Sequence, residues 1–339
     1  MVKLAFFDVD ETEQAVLSRA FAGEKTFELS FYQKSLDTHN APIAKDVDGM
    51  GIFIQSRITK EVLDLLPEVK VIDTMSTGFD HIDLETCQVR NITVCNVPSY
   101  GDNTVAEYAF SLIMALARKL KPTIEQTARG FFSRTGLMGI DLKGKTLGVI
   151  GTGNIGGHMA QFGWAFGMKV IAYDVKPNKE IIDRYDVMFV RLEELLQQAD
   201  IISLHIPYNV STHHLINAER LRLFKPTALL VNTSRGQVVD TNAVAAALRE
   251  GRVGGVALDT FEGEEVWIEE EFLKRDDLAA ITLREAMQSF AIMRSERAII
   301  TPHNAFNTKE ALERILLTSA ENIIAYFNGH PQNVITGHT

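Results

Sequence analysis

The sequence of 339 residues predicts an α/β protein of two domains, each a parallel β-sheet with flanking helices. Two series of short apolar runs alternate with helix-forming stretches, and a glycine-rich turn stands near the start of the second series. At roughly 100–200 residues per domain, the length also favours two domains. Hydrophobic residues make up 46% of the chain and charged residues 23%, which excludes a disordered or fibrous chain.

The first series lies within residues 1–100 and predicts a small parallel sheet. Buried strands are expected at 3–7, 51–54, 70–74 and 93–95, with a helix at 61–66. Residues 103–120 then place apolar side chains at helical spacing, which predicts a long helix capped by Asn103.

The second series predicts a doubly wound sheet, because five strand patterns alternate with helical ones. The strands are expected at 146–150, 169–173, 201–204, 228–232 and 256–258, with helices such as 154–166 and 241–250 between them. Residues 267–297 interrupt this rhythm as a long excursion, and a strand pattern returns at 298–300. Residues 307–310 resemble a capping box that opens a last helix ending at Phe327.

Charge, apolar run length and cysteine use narrow the class of protein. The net charge is −10 and no basic block occurs, so we expect no nucleic-acid or anionic membrane partner. No apolar run approaches the roughly 18 residues that span a bilayer, and the N-terminus lacks a signal-peptide pattern. Cys87 and Cys95 fit a reducing cytosol, and the adjacent His213 and His214 are expected to point apart. We therefore expect a cytoplasmic protein without a metal site.

A G-x-G-x-x-G motif follows a predicted strand and opens a predicted helix, the context of a dinucleotide-binding fingerprint. The motif is Gly151-Thr152-Gly153-Asn154-Ile155-Gly156. Gly151 permits the tight turn, Gly153 the approach of a pyrophosphate and Gly156 close helix–strand packing. Asn154 and Ile155 begin the helix, whose N-terminus offers N–H groups to phosphates. A turn used for packing alone is the alternative.

Asp174 ends the next predicted strand, 18 residues after Gly156. Its carboxylate would accept hydrogen bonds from adenosine ribose hydroxyls and repel a 2′-phosphate, which favours NAD over NADP. Lys176 nearby weakens that preference. The sequence thus predicts a Rossmann-type domain with NAD as cofactor.

Five further segments resemble the D-2-hydroxyacid dehydrogenase family, at 96–109, 199–207, 231–236, 257–264 and 301–303. Together with the glycine motif, the resemblance covers nearly the whole chain, and the long excursion followed by Pro302–Phe306 is similar to the D-lactate dehydrogenase branch. It implies a Rossmann-type NAD domain at 101–303, inserted in a split flavodoxin-like substrate domain at 1–100 and 304–339, with the active site at their junction. It also implies a homodimer formed through the region around 101–145.

The resemblance implies three catalytic residues, Arg235, Glu264 and His303. Arg235 offers a planar fork of donors to carboxylate and carbonyl oxygens, and His303 can exchange a proton near neutral pH. Glu264 would favour the imidazolium, although Glu262 and Glu265 compete for this role. Further cofactor contacts are expected from His205, Ile206, Pro207, Thr212, Thr233, Ser234, Arg235 and Asp259. Substrate contacts are expected from Phe53, Thr77, Gly78, Tyr100 and Arg235.

The implied function is NAD-dependent interconversion of a small-molecule 2-oxo acid and a D-2-hydroxy acid, with pyruvate and D-lactate as the expected pair. One alternative is a reductase of hydroxypyruvate, glyoxylate or a bulkier 2-oxo acid. An alternative from another class is a non-catalytic NAD-sensing scaffold. Met75, His81 and Tyr108 depart from residues common in the family, and these departures bear on substrate choice more than on the reaction.

Overall fold

The computed structural model describes residues 1–24, 26–263 and 292–335. The chain forms two units, Met1–Gly101 with Asn307–Thr339, and Asp102–Phe306. Each unit holds one sheet of parallel strands with flanking helices, so the predicted fold class is confirmed. The predicted domain limits and the roles given to the two domains stay predictions.

The sheet of the first unit has five parallel strands in the order β2-β1-β3-β4-β5. Its strands are β1 Val2–Phe7, β2 Phe27–Tyr32, β3 Gly49–Ile52, β4 Val71–Thr74 and β5 Thr93–Asn96. Its first helices are α1 Glu11–Ala20, α2 Lys60–Asp64 and α3 Leu84–Val89. The prediction omitted β2, a half-buried strand at the sheet edge.

The sheet of the second unit has seven parallel strands in the order β12-β11-β10-β9-β6-β7-β8. They are β6 Thr146–Ile150, β7 Lys169–Tyr173, β8 Met188–Phe189, β9 Ile201–Leu204, β10 Leu229–Asn232, β11 Gly255–Leu258 and β12 Ala298–Ile300. The helices are α4 Asp102–Ala117, α5 Leu120–Ala128, α6 Asn154–Ala165, α7 Lys179–Tyr185, α8 Leu192–Gln198, α9 Ala218–Leu221 and α10 Thr241–Arg249. Strand β8, only two residues long, was not predicted.

The predicted helix at 103–120 is two helices, α4 and α5. Lys119 lies between them with a left-handed φ of 51°, a conformation that ends the regular helical path. Asn103 does not cap α4, because the helix already begins at Asp102.

The last helix, α11 Lys309–Phe327, belongs to the first unit. Its N-cap is Thr308, whose hydroxyl oxygen accepts a hydrogen bond from the backbone N–H of Ala311 at 3.2 Å. The predicted capping box at 307–310 is therefore wrong in its register. Arg19 on α1 pairs with Glu313 on α11, and the two helices pack together.

The parallel strands of the second unit place their carboxyl ends at one edge of the sheet. The residues that follow these ends include the glycine turn after β6, Asp174 after β7, His205 after β9, Thr233 after β10 and Asp259 after β11. The strand order reverses between β6 and β9, and such a switch point is where open α/β sheets bind ligands. Within the described ranges, no helix is long and apolar enough to span a membrane.

Candidate active site

In the glycine turn after β6, two of the three glycines leave no room for a side chain, and the third borders open space. Gly151 has a φ of 89°, and a Cβ atom on it would lie 2.4 Å from the carbonyl oxygen of His205. A Cβ atom on Gly156 would lie 1.9 Å from the carbonyl oxygen of Gly151. A Cβ atom on Gly153 would meet no atom within 4 Å. Two glycines therefore permit close backbone packing, while the third leaves open space for a ligand.

The N-terminus of α6 adjoins this open space. Gly153 is the N-cap of the helix and supplies no side-chain hydrogen bond to its first turn. The N–H groups of Asn154, Ile155 and Gly156 have no intrahelical acceptor, because they lie in the first turn. They are donors suited to a pyrophosphate, and the helix dipole adds to the attraction. The Asn154 side chain donates to Asp102 at 3.0 Å.

Asp174 is held at the end of β7 by Thr152, the second residue of the glycine motif. Its Oδ2 accepts from the Thr152 N–H at 2.6 Å and from the Thr152 hydroxyl at 2.9 Å, and its Oδ1 accepts from the Lys176 N–H at 2.9 Å. Burial raises the pKa of this carboxyl, but the hydrogen bonds outweigh burial and hold its pKa below the usual value. Asp174 is thus an oriented carboxylate, and the sequence did not identify Thr152 as its partner.

His205 begins the segment after β9. Its Nε2 lies 2.8 Å from the hydroxyl oxygen of fully buried Ser203, and burial lowers the pKa of His205 to about 3. The ring is therefore neutral at physiological pH. Ile206 and Pro207 follow directly, and the Thr212 hydroxyl donates to the carbonyl oxygen of Pro207 at 2.8 Å. These bonds give the segment 205–212 a defined path beside the glycine turn.

Buried Asn232 organises the turn that carries Arg235. Its Oδ1 accepts from the N–H and the hydroxyl of Ser234, and its Nδ2 donates to the carbonyl oxygen of Arg235 at 2.9 Å. The Arg235 guanidinium donates to the carbonyl oxygen of Ser234 at 2.8 Å. The buried Thr233 hydroxyl has no hydrogen-bond partner in the part of the chain that the structure describes. Thr233 thus retains a polar group for a ligand, and Asn232 is a residue that the sequence analysis missed.

Asp259 joins β11 to the segment that carries His303. Its carboxylate, fully buried, accepts from the Thr301 hydroxyl, from the Asn304 N–H at 2.9 Å and from the Ala305 N–H at 2.9 Å. The backbone N–H of His303 donates to the carbonyl oxygen of Asp259 at 2.9 Å. His303 itself has a left-handed φ of 50°. Asp259 therefore supports His303, a role that the sequence analysis did not assign to it.

The structure places Arg235, Asp259 and His303 after three neighbouring strands, β10, β11 and β12. A Cβ atom on Gly236 would lie 2.4 Å from the carbonyl carbon of Phe261, so the turns after β10 and β11 lie against each other. Glu264 lies outside the described residues, as does most of the predicted excursion at 267–297.

Glu262 has partners of its own. Its Oε1 lies 2.6 Å from Nε2 of His214, and its Oε2 accepts from the Thr241 N–H at 3.1 Å. The rings of His213 and His214 stack with centroids 4.0 Å apart, so the expectation that they point apart is wrong. The left-handed backbone of His214, with a φ of 48°, brings the two rings to the same side. Among the described residues, no group of three side chains suits a metal ion.

In the first unit, three consecutive carbonyl groups of the loop after β4 each accept a hydrogen bond. The Ser76 carbonyl accepts from the Val97 N–H at 3.0 Å, the Thr77 carbonyl from the Asn96 side chain at 2.8 Å, and the Gly78 carbonyl from the Ser76 hydroxyl at 2.6 Å. In a trans peptide the N–H of the following residue points in the direction opposite to the carbonyl, and the described residues contain no cis peptide.

The N–H groups opposite these carbonyls belong to Thr77, Gly78 and Phe79. Across the described part of the chain, no residue accepts a hydrogen bond from any of the three. Successive free backbone N–H groups form a concave site for an anion. The role of Thr77 and Gly78 in binding the substrate stays a prediction. Phe53 is buried, and the Tyr100 carbonyl accepts from Arg314 at 2.6 Å.

The geometry defines a dinucleotide-binding α/β protein, and comparisons with known proteins give its family. Residues 110–305 match the family model "D-isomer specific 2-hydroxyacid dehydrogenase, NAD binding domain". The chain is 32% identical to 2-hydroxyacid dehydrogenase homolog 1 of Schizosaccharomyces pombe, covering 98% of this chain and 99% of the relative. It is 34% identical to a glyoxylate reductase of Thermococcus litoralis, covering 86% of this chain and 84% of the relative.

A solved structure of D-lactate dehydrogenase from Aquifex aeolicus, complexed with NAD and lactic acid, superposes with a TM-score of 0.88. It is 33% identical and covers 99% of this chain and 100% of its own. The chain belongs to the D-isomer specific 2-hydroxyacid dehydrogenase family. The predicted cofactor, NAD, is confirmed, and the chain is an NAD-dependent oxidoreductase of 2-hydroxy acids.

Proposed function

We propose that this protein reduces pyruvate to D-lactate, with Arg235 binding the substrate and His303 transferring the proton. The observation that carries the proposal is the support of His303 by Asp259, whose buried carboxylate accepts hydrogen bonds on both sides of the histidine. Holding a histidine in a left-handed backbone conformation costs free energy, and such strain is typical of functional sites.

The residues divide the reaction between them. NAD supplies or accepts the hydride when bound. Arg235 carries a permanent positive charge and a fork of donors, which suits the carboxylate and the carbonyl oxygen of a 2-oxo acid. The N–H groups of Thr77 and Gly78 add donors for the carboxylate. His303 gives a proton to the carbonyl oxygen during reduction and accepts it during oxidation, with Glu264 as its proposed partner.

The geometry of the strand ends also supports the cofactor contacts that we propose. Gly153, Asn154 and Ile155 surround the open space at the N-terminus of α6, which fits the pyrophosphate. Asp174 fits the adenosine ribose and selects NAD over NADP, because an oriented carboxylate repels a 2′-phosphate. The remaining proposed contacts lie after β9, β10 and β11, at His205, Ile206, Pro207, Thr212, Thr233, Ser234 and Asp259.

Pyruvate is proposed as substrate because of the match to a D-lactate dehydrogenase over nearly the full length of both chains. Phe53 and Tyr100 are proposed to limit the size of the acid. Glyoxylate is the second candidate, supported by the similarity to a glyoxylate reductase. Pyruvate and glyoxylate are both small 2-oxo acids, so the same hydride and proton transfers reduce either one.

A homodimer is part of the proposal. Six large apolar side chains are exposed between residues 120 and 140, at Leu120, Ile124, Phe131, Phe132, Met138 and Ile140. Phe132 is 96% exposed and Met138 87%. Such a concentration of exposed apolar side chains is typical of a protein interface, and the family resemblance makes a second copy of this chain the partner.

The test is NADH oxidation by the purified protein with pyruvate, glyoxylate, hydroxypyruvate, phenylpyruvate and 2-oxoisocaproate, followed by identification of the product enantiomer. We expect the highest kcat/KM with pyruvate and a D product. Preference for another acid would replace the substrate while keeping the reaction. Binding of NADH without turnover of any acid would favour the NAD-sensing scaffold.

A further inference from the structure

Three side chains of the first unit form a hydrogen-bonded chain that ends on the loop after β4. Nε2 of His81 lies 3.1 Å from the hydroxyl oxygen of Thr74, which lies 2.7 Å from the hydroxyl oxygen of Ser76. The Ser76 hydroxyl in turn lies 2.6 Å from the carbonyl oxygen of Gly78. Thr74 is fully buried and Ser76 nearly so, so water does not replace these contacts.

The direction of each hydrogen bond in this chain is determined. The carbonyl of Gly78 can only accept, so the single proton of the Ser76 hydroxyl points to it. The proton between the two hydroxyls must then belong to Thr74. Thr74 has no further proton, so Nε2 of His81 is the donor to Thr74. A histidine that donates from Nε2 is thus required at the start of the chain.

The last hydrogen bond of this series, from the Ser76 hydroxyl to the Gly78 carbonyl, holds the peptide of the loop that can rotate most freely. Gly78 has no side chain to restrict its backbone, so the peptide that joins Gly78 to Phe79 has the greatest freedom to turn over. If it turned, the Gly78 carbonyl oxygen would face a bound carboxylate in place of the Phe79 N–H. The Ser76 hydroxyl prevents this, because it holds the carbonyl on the opposite side.

We propose that His81, acting through Thr74 and Ser76, is a positioning residue that keeps the Gly78–Phe79 peptide turned with its N–H toward the substrate carboxylate. The Phe79 N–H then joins those of Thr77 and Gly78 as a third backbone donor. The inference rests on the proposed function, since it concerns the substrate of that reaction. It also gives a structural reason for His81, at a position where some members of the family have another residue.

The hydrogen-bonded chain affects substrate binding and leaves the proton and hydride transfers to other residues. Breaking any of its bonds should therefore raise KM for the 2-oxo acid while kcat changes little. Because the three side chains act in series, breaking two bonds should cost no more than breaking one. A merely structural contribution to loop stability would not produce this pattern.

The experiment measures kcat and KM at saturating NADH with the acid that the wild type turns over fastest. We expect Ser76→Ala and Thr74→Val each to raise KM about tenfold with kcat within about twofold, and the double variant to match Ser76→Ala. His81→Leu should behave like Thr74→Val. Two conservative variants serve as matched controls, because His81→Gln keeps an Nε2 donor and Thr74→Ser keeps the hydroxyl, and both should retain the wild-type KM.

Several outcomes would overturn the inference. They are an unchanged KM in Ser76→Ala, a KM increase in His81→Gln equal to that in His81→Leu, or additive effects in the double variant. Ser76→Ala removes one hydroxyl from a loop, so it tests the inference even if the variants of buried Thr74 fail to fold. If the wild type turns over the acid but one of these outcomes is found, only the role of His81 is refuted. Absence of turnover by the wild type would refute the proposed function as well.

Discussion

Asp259 is the residue on which the placement of His303 depends most. Each oxygen of its buried carboxylate accepts a backbone N–H, from Asn304 on one side and Ala305 on the other. In Asp259→Asn, one carboxylate oxygen becomes the NH2 group of the new side chain. One of the two backbone N–H groups then faces a donor and loses its acceptor. An unpaired buried donor costs about 1–3 kcal/mol. We expect this loss in the free energy of unfolding and, because His303 shifts, a fall in kcat of about 100-fold.

The control for this variant is Asp240→Ala, which removes the side chain that caps α10 through the Ala243 N–H. It should lose about 1 kcal/mol of stability and keep the wild-type kcat. Denaturant unfolding and steady-state kinetics on both variants separate stability from catalysis. An unchanged kcat in Asp259→Asn would refute the supporting role of Asp259.

Asp174 is the residue that should decide between NADH and NADPH. Its carboxylate is ionised at neutral pH and is oriented by Thr152. Asp174→Ala should raise KM for NADH about tenfold or more and lower the preference for NADH over NADPH. The matched control is Asp183→Ala, which removes the same charge from an exposed position on α7. If Asp174→Ala kept the wild-type preference, Asp174 would have no place in the cofactor site.

Among the elements, β4 and α11 meet at a buried carboxyl group. Asp73 on β4 is fully buried, and Asn322 on α11 donates to its Oδ1 at 2.6 Å. Burial raises the pKa of Asp73 to about 8, although the hydrogen bond from Asn322 and the nearby Ser319 hydroxyl oppose this. Neither Oδ2 of Asp73 nor the Ser319 hydroxyl has a hydrogen-bond partner in the described part of the chain. Burial therefore keeps the carboxyl of Asp73 protonated, and neutral, at pH 7.

This protonation gives the first unit a pH-dependent stability. Between pH 3.8, the ordinary value for Asp, and about 8, the folded state binds a proton that the unfolded state has lost. The free energy of unfolding therefore falls as the pH rises through this range. We expect a fall of about 1.6 kcal/mol between pH 6.5 and 8, above the range in which His205 contributes.

Asp73→Asn should remove this pH dependence, because the amide has no proton that titrates in this range. Denaturant unfolding at several pH values measures the effect. The control is Asp48→Asn, since the Lys70 hydrogen bond holds the pKa of Asp48 below its usual value and it does not titrate in this range. A slope in Asp73→Asn equal to that of the wild type would contradict the assignment.

The sequence predicted most of the helices and strands, because buried parallel strands appear as short apolar runs and the glycine turn as a motif. It could not predict β2 from buried runs, because the side chains of that strand are half-buried at a sheet edge. The break at Lys119 has no local signal either, since the left-handed conformation is uncommon for lysine.

In the candidate site, the sequence predicted side chains that would contact ligands, but it did not predict the side chains that orient them. Thr152, Asn232 and the His81–Thr74–Ser76 chain act through contacts that exist only once strands lie side by side. Spacing along the chain does not reveal such contacts. The resemblance names Arg235 and His303 because a motif surrounds each of them, and their roles stay predictions.

For the whole molecule, the exposed apolar side chains between residues 120 and 140 predict the oligomeric state. Phe132→Asp places a charge among them and should shift the proposed dimer to monomer in sedimentation equilibrium. Val89→Asp is the control, because Val89 is an exposed apolar residue of α3 in the other unit. A dimer that survives Phe132→Asp unchanged would place the interface elsewhere.

The central claim is that His303 exchanges the proton during NADH-dependent reduction of a 2-oxo acid. The most direct test compares NADH oxidation and NADH binding in the wild type, His303→Ala and the control His39→Ala, which alters an exposed histidine. We expect His303→Ala to lose about 100- to 10,000-fold in kcat while its Kd for NADH stays within about twofold, and His39→Ala to match the wild type. Wild-type turnover by His303→Ala, or loss of its NADH binding, would contradict the proposed role of His303.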